Sequence, residues 1–167
     1  GGNRVDLFDP GAVDRAELER MAAWITRIRE ALEGDGFLLH YQPLIGLHGE
    51  PREMYEGFLR LRGEHGEIVP PLTFLQIAEE NSLMSDIDRW VVGTAISLIG
   101  ERARSGHETT MLVKITEHSL QDDSLARHIE EQLAQHGVNG RKLVFEIPES
   151  KVFTHLRAAQ AFQVRLA

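Results

Sequence analysis

Tyr55-Glu56-Gly57-Phe58-Leu59-Arg60-Leu61 is the stretch on which the reading of this chain turns. As a strand it sends alternate side chains to opposite faces, so Tyr55, Leu59 and Leu61 form an apolar side while Glu56, Phe58 and Arg60 share the other. A carboxylate, an aromatic ring and a guanidinium spaced two apart are out of place in a dry core, where an unpaired charge is costly. They suit the rim of a pocket that receives something flat and charged. Taken alone, the seven residues also fit an ordinary half-exposed strand with solvated charges.

The flanking sequence supplies the context. Residues 37–47 read as a strand and Gly49-Glu50 as a turn that returns the chain into a second strand over about residues 52–61, so the first two strands are expected to be antiparallel. Gly63 to Gly66 is a polar loop, after which Val69-Pro70-Pro71 leads into a short helix with Phe74, Leu75, Ile77 and Ala78. Apolar positions Ile87, Trp90, Val91, Ala95, Leu98 and Ile99 mark a largely buried helix over residues 86–104, closed by Gly106. Strands over 110–115 and 143–147 then alternate with helices, one carrying Leu125, Ile129 and Leu133 and ending at Gly137, the other over 151–167. That alternation indicates an α/β fold with parallel strands. Upstream, Asp14 and Glu17 resemble a capping box, and Leu18, Met21, Ile25, Ile28 and Leu32 recur at helical spacing up to Gly34 and Gly36. Residues 1–34 therefore read as a linker and leading helix, and residues 35–167 as the domain proper.

With 167 residues and 42% hydrophobic content the chain fits one globular domain with a sizeable core. A net charge of -8 argues against broad nucleic-acid binding or an anionic membrane surface, so an anionic ligand must be held by a few local basic groups. The absence of cysteine excludes disulfides and thiolate metal sites. No apolar run approaches the roughly 18 residues of a membrane span, and no signal peptide is evident, so the expected location is cytoplasmic, without membrane insertion. The Gly1-Gly2 start reads as part of something longer. The 8 histidines show no pair at ligand spacing and read as scattered surface residues.

Lys114 and Glu146 each stand near the end of a later strand, and ligands of α/β folds gather at the carboxyl ends of parallel strands. Glu56, Lys114 and Glu146 could converge on one site; the alternative is a partly buried Lys114–Glu146 ion pair.

Tyr41-Gln42-Pro43, Glu56-Gly57-Phe58-Leu59-Arg60, Pro71-x-x-Phe74 with Ala78-Glu79-Glu80, and Phe145-Glu146-Ile147-Pro148-Glu149-Ser150 together resemble, in order and spacing, the EAL-domain family of cyclic di-GMP phosphodiesterases. The resemblance implies a modified TIM barrel whose first strand is antiparallel, with only its N-terminal part, roughly half of a barrel, in this chain. The leading helix is similar to connectors that join an upstream GGDEF-like domain. Active members of the family hold two divalent cations, the arrangement of two-metal hydrolysis. Glu56 and Glu146 match two of the metal ligands, but Lys114 stands where the family has an Asn, and a charged ammonium has no lone pair to give a metal. The Glu-Ala-Leu tripeptide has become Glu56-Gly57-Phe58. A later Asp-Asp motif, a catalytic Lys and a further Glu are expected beyond Ala167.

Ligand contacts implied by the resemblance fall on Gln42, Phe58, Leu59, Arg60, Pro71 and Phe74, with Asp88 and Trp90 near a guanine. Gln42 and Arg60 could instead serve the strand, and Phe74 the core. The degenerate, FimX-type members resemble this chain most, through Phe58, Pro70-Pro71 and the lost Asn. They imply a catalytically inactive receptor with cyclic di-GMP as ligand and no metal or other cofactor required, acting in type IV pilus and twitching motility through a PilZ-type adaptor. The rivals are an active metal-dependent phosphodiesterase and an interaction module that has lost the ligand.

Overall fold

The computed structural model describes residues 10–44 and 53–147. A long helix, α1 (Pro10–Glu33), leads into β1 (Phe37–Pro43) and β2 (Glu53–Arg62), then a short strand β3 (Ile68–Val69). A single 3-10 turn over Pro71–Thr73 precedes α2 (Leu75–Glu80) and α3 (Met84–Arg104). After β4 (Thr109–Lys114), a 3-10 segment over Glu117–Gln121 leads to α4 (Asp123–His136) and β5 (Leu143–Glu146). The strands lie in the order β1-β2-β4-β5, with β3 pairing β2. β1 is antiparallel to β2, while β2, β4 and β5 run parallel to one another. This is the N-terminal part of a modified barrel with its first strand reversed, as the motifs implied.

The two sheet faces differ because period-two alternation sorts their side chains. Phe37, Leu39, Leu61, Met111, Val113 and Leu143 are buried against the helices. α3 answers with Ile87, Val91, Val92, Ala95, Ile96 and Ile99, a stripe at spacings of three, four and one that keeps one face of the helix in the core. The last turns of α1 join them: Ile28 and Ala31 are buried, with Trp24, Ile25 and Leu32 packed alongside, whereas residues 11–20 are exposed throughout. Among the described residues no helix covers the opposite sheet face, which carries Gln42, Glu56, Phe58, Arg60, Lys114 and Glu146.

Caps set the ends of α4. Asp122 accepts from the backbone amides of Ser124 and Leu125, and Gly137, at φ 63°, closes the helix in the left-handed region that glycine occupies without a Cβ penalty. Close approach of α3 to α4 depends on Gly100, where a Cβ would lie 3.2 Å from that of His136.

Three sequence expectations need correction. Asp14 lies within α1, which already runs from Pro10, so it is not the helix cap. The first strand stops at Pro43, short of residue 47; the expected Gly49-Glu50 turn and the helix over 151–167 lie outside the described residues. β3 was not foreseen, since two residues are too few to show periodicity.

Candidate functional site

Strand register assembles the uncovered face. Gln42 pairs with Glu56 and His40 with Phe58 across β1 and β2. Glu56 is level with Leu112 on β4, and Lys114 is level with Glu146 on β5. Glu56, Lys114 and Glu146, distant in sequence, are thus carried by neighbouring strands to the end of the sheet where the parallel strands finish. Phe58 lies two residues beyond Glu56, and its ring centre is 5.7 Å from Lys114 Nζ and 5.7 Å from the Arg60 guanidinium carbon. Arg60 also donates from Nη1 to the carbonyl of Leu59 at 2.8 Å.

Burial, with the carboxyl of Glu56 close by, raises the Glu146 pKa, and Lys114 pulls it the other way. Among the described residues Lys114 makes no ion pair within 4 Å of either glutamate; its ammonium is a neighbour of the pair, over Phe58, and not a closed salt bridge to Glu146.

The remaining sequence candidates separate. Leu59 turns its side chain to the helix side and offers this face only its backbone. Pro71 opens the 3-10 turn, half-buried, beside Leu72, which is 94% exposed. Phe74 has no exposed surface and packs 5.9 Å from Phe37, so in this structure its ring belongs to the core. Asp88, 3% exposed, accepts at Oδ2 from the Thr116 amide, the Thr116 hydroxyl and the Ser119 hydroxyl. Burial raises its pKa, and those hydrogen bonds oppose the shift. Trp90 stacks 5.5 Å from Phe37 on the helix side, where it lines a cavity of about 780 Å³ with Arg29, Arg89 and His128. The structure therefore brings Gln42, Glu56, Phe58, Arg60, Lys114 and Glu146 together and places Phe74 and Trp90 elsewhere.

Two clusters escaped the sequence. At the opposite end of β2, Glu53 accepts from Arg102 at 2.9 Å and Thr109 at 3.2 Å and lies 2.9 Å from His107 Nδ1, while Arg102 stacks 5.4 Å from the Tyr55 ring. Its partners are about fifty positions away, so no local pattern announces them. At the other end, donor atoms of Glu79, Glu117 and His118 lie within 4.8 Å of one another, which qualifies the reading of the histidines as scattered. Spacing alone could not reveal this, because Glu79 comes from α2.

A family model described as the EAL domain matches residues 25–167. Among solved structures, the FimX EAL domain of Xanthomonas citri, in complex with c-diGMP, is 52% identical with a TM-score of 0.86, covering 91% of this chain and 59% of that one. The FimX EAL domain of Pseudomonas aeruginosa bound to c-di-GMP is 36% identical with a TM-score of 0.79, covering 86% and 57%. The cyclic di-GMP phosphodiesterase PdeF of Escherichia coli is 29% identical over 144 residues, which are 86% of this chain and 19% of PdeF. The chain thus spans under two thirds of the FimX domains and under a fifth of PdeF.

Proposed function

The chain belongs to the EAL-domain family, and from that premise we propose that it is a receptor which holds cyclic di-GMP without hydrolysing it. The observation that carries this reading is Lys114, level with Glu146 and beside Glu56, at a position where a divalent cation would need an oxygen donor. The described residues do not fit a metal pair, because one ligand position is an ammonium with no lone pair to give. Lys114 instead supplies positive charge without the means to activate water.

Ligand recognition remains chemically complete. Arg60 can grip a phosphate bidentately, Gln42 offers a donor and an acceptor to a base or sugar, and Phe58 presents a ring to a purine. The Leu59 backbone and Pro71 shape the rim. Asp88 Oδ1, which no protein donor occupies among the described residues, is the remaining candidate for a guanine. Similarity to FimX domains that hold the dinucleotide supports this set. The FimX-type motifs of the sequence lead us to propose further a cytoplasmic role in control of type IV pili and twitching motility, downstream of a GGDEF-like domain and upstream of a PilZ-type adaptor. No helix among the described residues is long and apolar enough to cross a membrane.

A second reading, an active phosphodiesterase, is favoured by the presence of Glu56 and Glu146 and by the activity named for PdeF. Calorimetry with cyclic di-GMP, together with chromatography of the nucleotide after incubation with Mn²⁺, separates the two. The receptor binds and returns the ligand intact, and Arg60→Ala weakens binding by roughly tenfold or more, the scale of a lost charge-assisted hydrogen bond. Linear product in the presence of Mn²⁺ establishes the enzyme.

A further inference from the structure

We propose that Phe58 is a positioning residue: its ring holds the Lys114 ammonium beside the Glu56–Glu146 pair and, with the Arg60 guanidinium at the same distance, makes one aromatic seat for two cations. The inference rests on the reading that this face receives cyclic di-GMP. Among the described residues Lys114 has no hydrogen bond or close ion pair to fix it, only the longer-range attraction of Glu146. The residue is exposed, its four-carbon stem has many rotamers, and it has no close ion pair among the described residues. A lysine in that condition is expected to swing into water. Instead Nζ sits 5.7 Å from the Phe58 ring centre, within the roughly 6 Å over which a ring quadrupole attracts a cation. Arg60 reaches the same ring at 5.7 Å.

A ring suits this task where a carboxylate does not. A carboxylate would hold the two cations by cancelling their charge, whereas an aromatic face attracts them and leaves that charge for an incoming anion. Two cations kept apart on one ring present fixed positive charge to a ligand with two phosphodiester groups. Leucine, the residue at this place in the family's tripeptide, has no quadrupole and could not do it.

A double-mutant cycle on the full chain tests the idea, using Phe58→Leu, Lys114→Met and the double variant, with Phe58→Tyr as the conservative control. Calorimetry with cyclic di-GMP should show that Phe58→Leu costs roughly two- to fivefold more affinity when Lys114 is present than in the Lys114→Met background. Phe58→Tyr, which keeps an aromatic ring, should retain the coupling to Lys114 whatever it does to affinity itself. Equal losses in both backgrounds overturn the proposal, because they mean that the ring touches only the ligand. The same cycle on urea unfolding without ligand should show a coupling of roughly two- to fivefold in the unfolding constant. Additivity there overturns the pair whatever the ligand does. If the parent fails to bind cyclic di-GMP the functional reading falls, and the ligand-free cycle still decides whether Phe58 holds Lys114.

Discussion

Glu53 and Glu146 carry the same functional group and titrate in opposite directions, for reasons visible in their neighbours. Hydrogen bonds from Arg102 and His107 stabilise the Glu53 carboxylate and bring its pKa down to about 2. Between that value and the ordinary carboxylate range the unfolded chain binds more protons than the folded one, so stability rises with pH across this window and is lost as acid is added. Urea titrations between pH 5 and about pH 2 should show that slope, and Glu53→Gln should flatten it. Glu146 behaves in the reverse sense: its raised pKa favours the folded state below the ordinary range and withdraws that contribution as pH climbs through it. Asp88 makes a third case. Its three donors, the Thr116 amide and hydroxyl and the Ser119 hydroxyl, are buried or half-buried, so Asp88→Ala removes their shared acceptor and should cost about 2–4 kcal/mol, while Asp88→Asn, which keeps an acceptor, should cost less. Denaturant midpoints for the two variants check the order.

Among the elements, β2 was the most legible, because alternation is a local property and the chain displayed it in seven residues. The apolar side is the buried one, and the odd trio of Glu, Phe and Arg does share the other face. Gly57 falls between them on the helix side, where a Cβ would approach Leu39 Cδ1 to 3.1 Å. That neighbour is the end of a flexible side chain, and alanine suits a strand interior better than glycine does. Gly57→Ala, which restores the middle residue of the family's tripeptide, should therefore change stability by less than about 1 kcal/mol. A larger loss in thermal unfolding would mean that Leu39 cannot yield. α3 and α4 were legible for the corresponding reason at helical spacing, down to Gly137 as terminator. β3 and the true start of α1 were not: the first is a pairing with β2, which only the partner strand defines, and the second precedes every apolar residue of the helix.

Across the whole molecule, α1 belongs to two environments. Its first turns are exposed, while Ile28, Ala31 and their neighbours are part of the core. Loss of residues 11–20 by truncation to residue 20 should by itself shift stability by no more than about 1 kcal/mol, since they are exposed throughout. Removing residues 1–34 strips Trp24, Ile25, Ile28, Ala31 and Leu32 from the helix side and should cost on the order of 5 kcal/mol or more, comparable to the whole stability of a small domain. Circular dichroism melts of the two truncations check this, and equal melts would show that the leading helix is dispensable. The match of the family model from residue 25 falls at the same point along the helix.

By itself the amino-acid sequence determined the alternation of strands and helices, the reversed first strand, the charged face of β2 and the presence of a lysine, Lys114, near the end of a later strand. Each of these is written in periodicity or in the identity of a single residue. Tertiary structure alone decided that Phe74 is core, that Asp88 serves the loop after β4, that Glu53 is tied to residues about fifty positions away, and that one phenyl ring receives two cations. Such outcomes depend on which strand lies beside which and in what register, and that is settled only when distant segments compete for the same core.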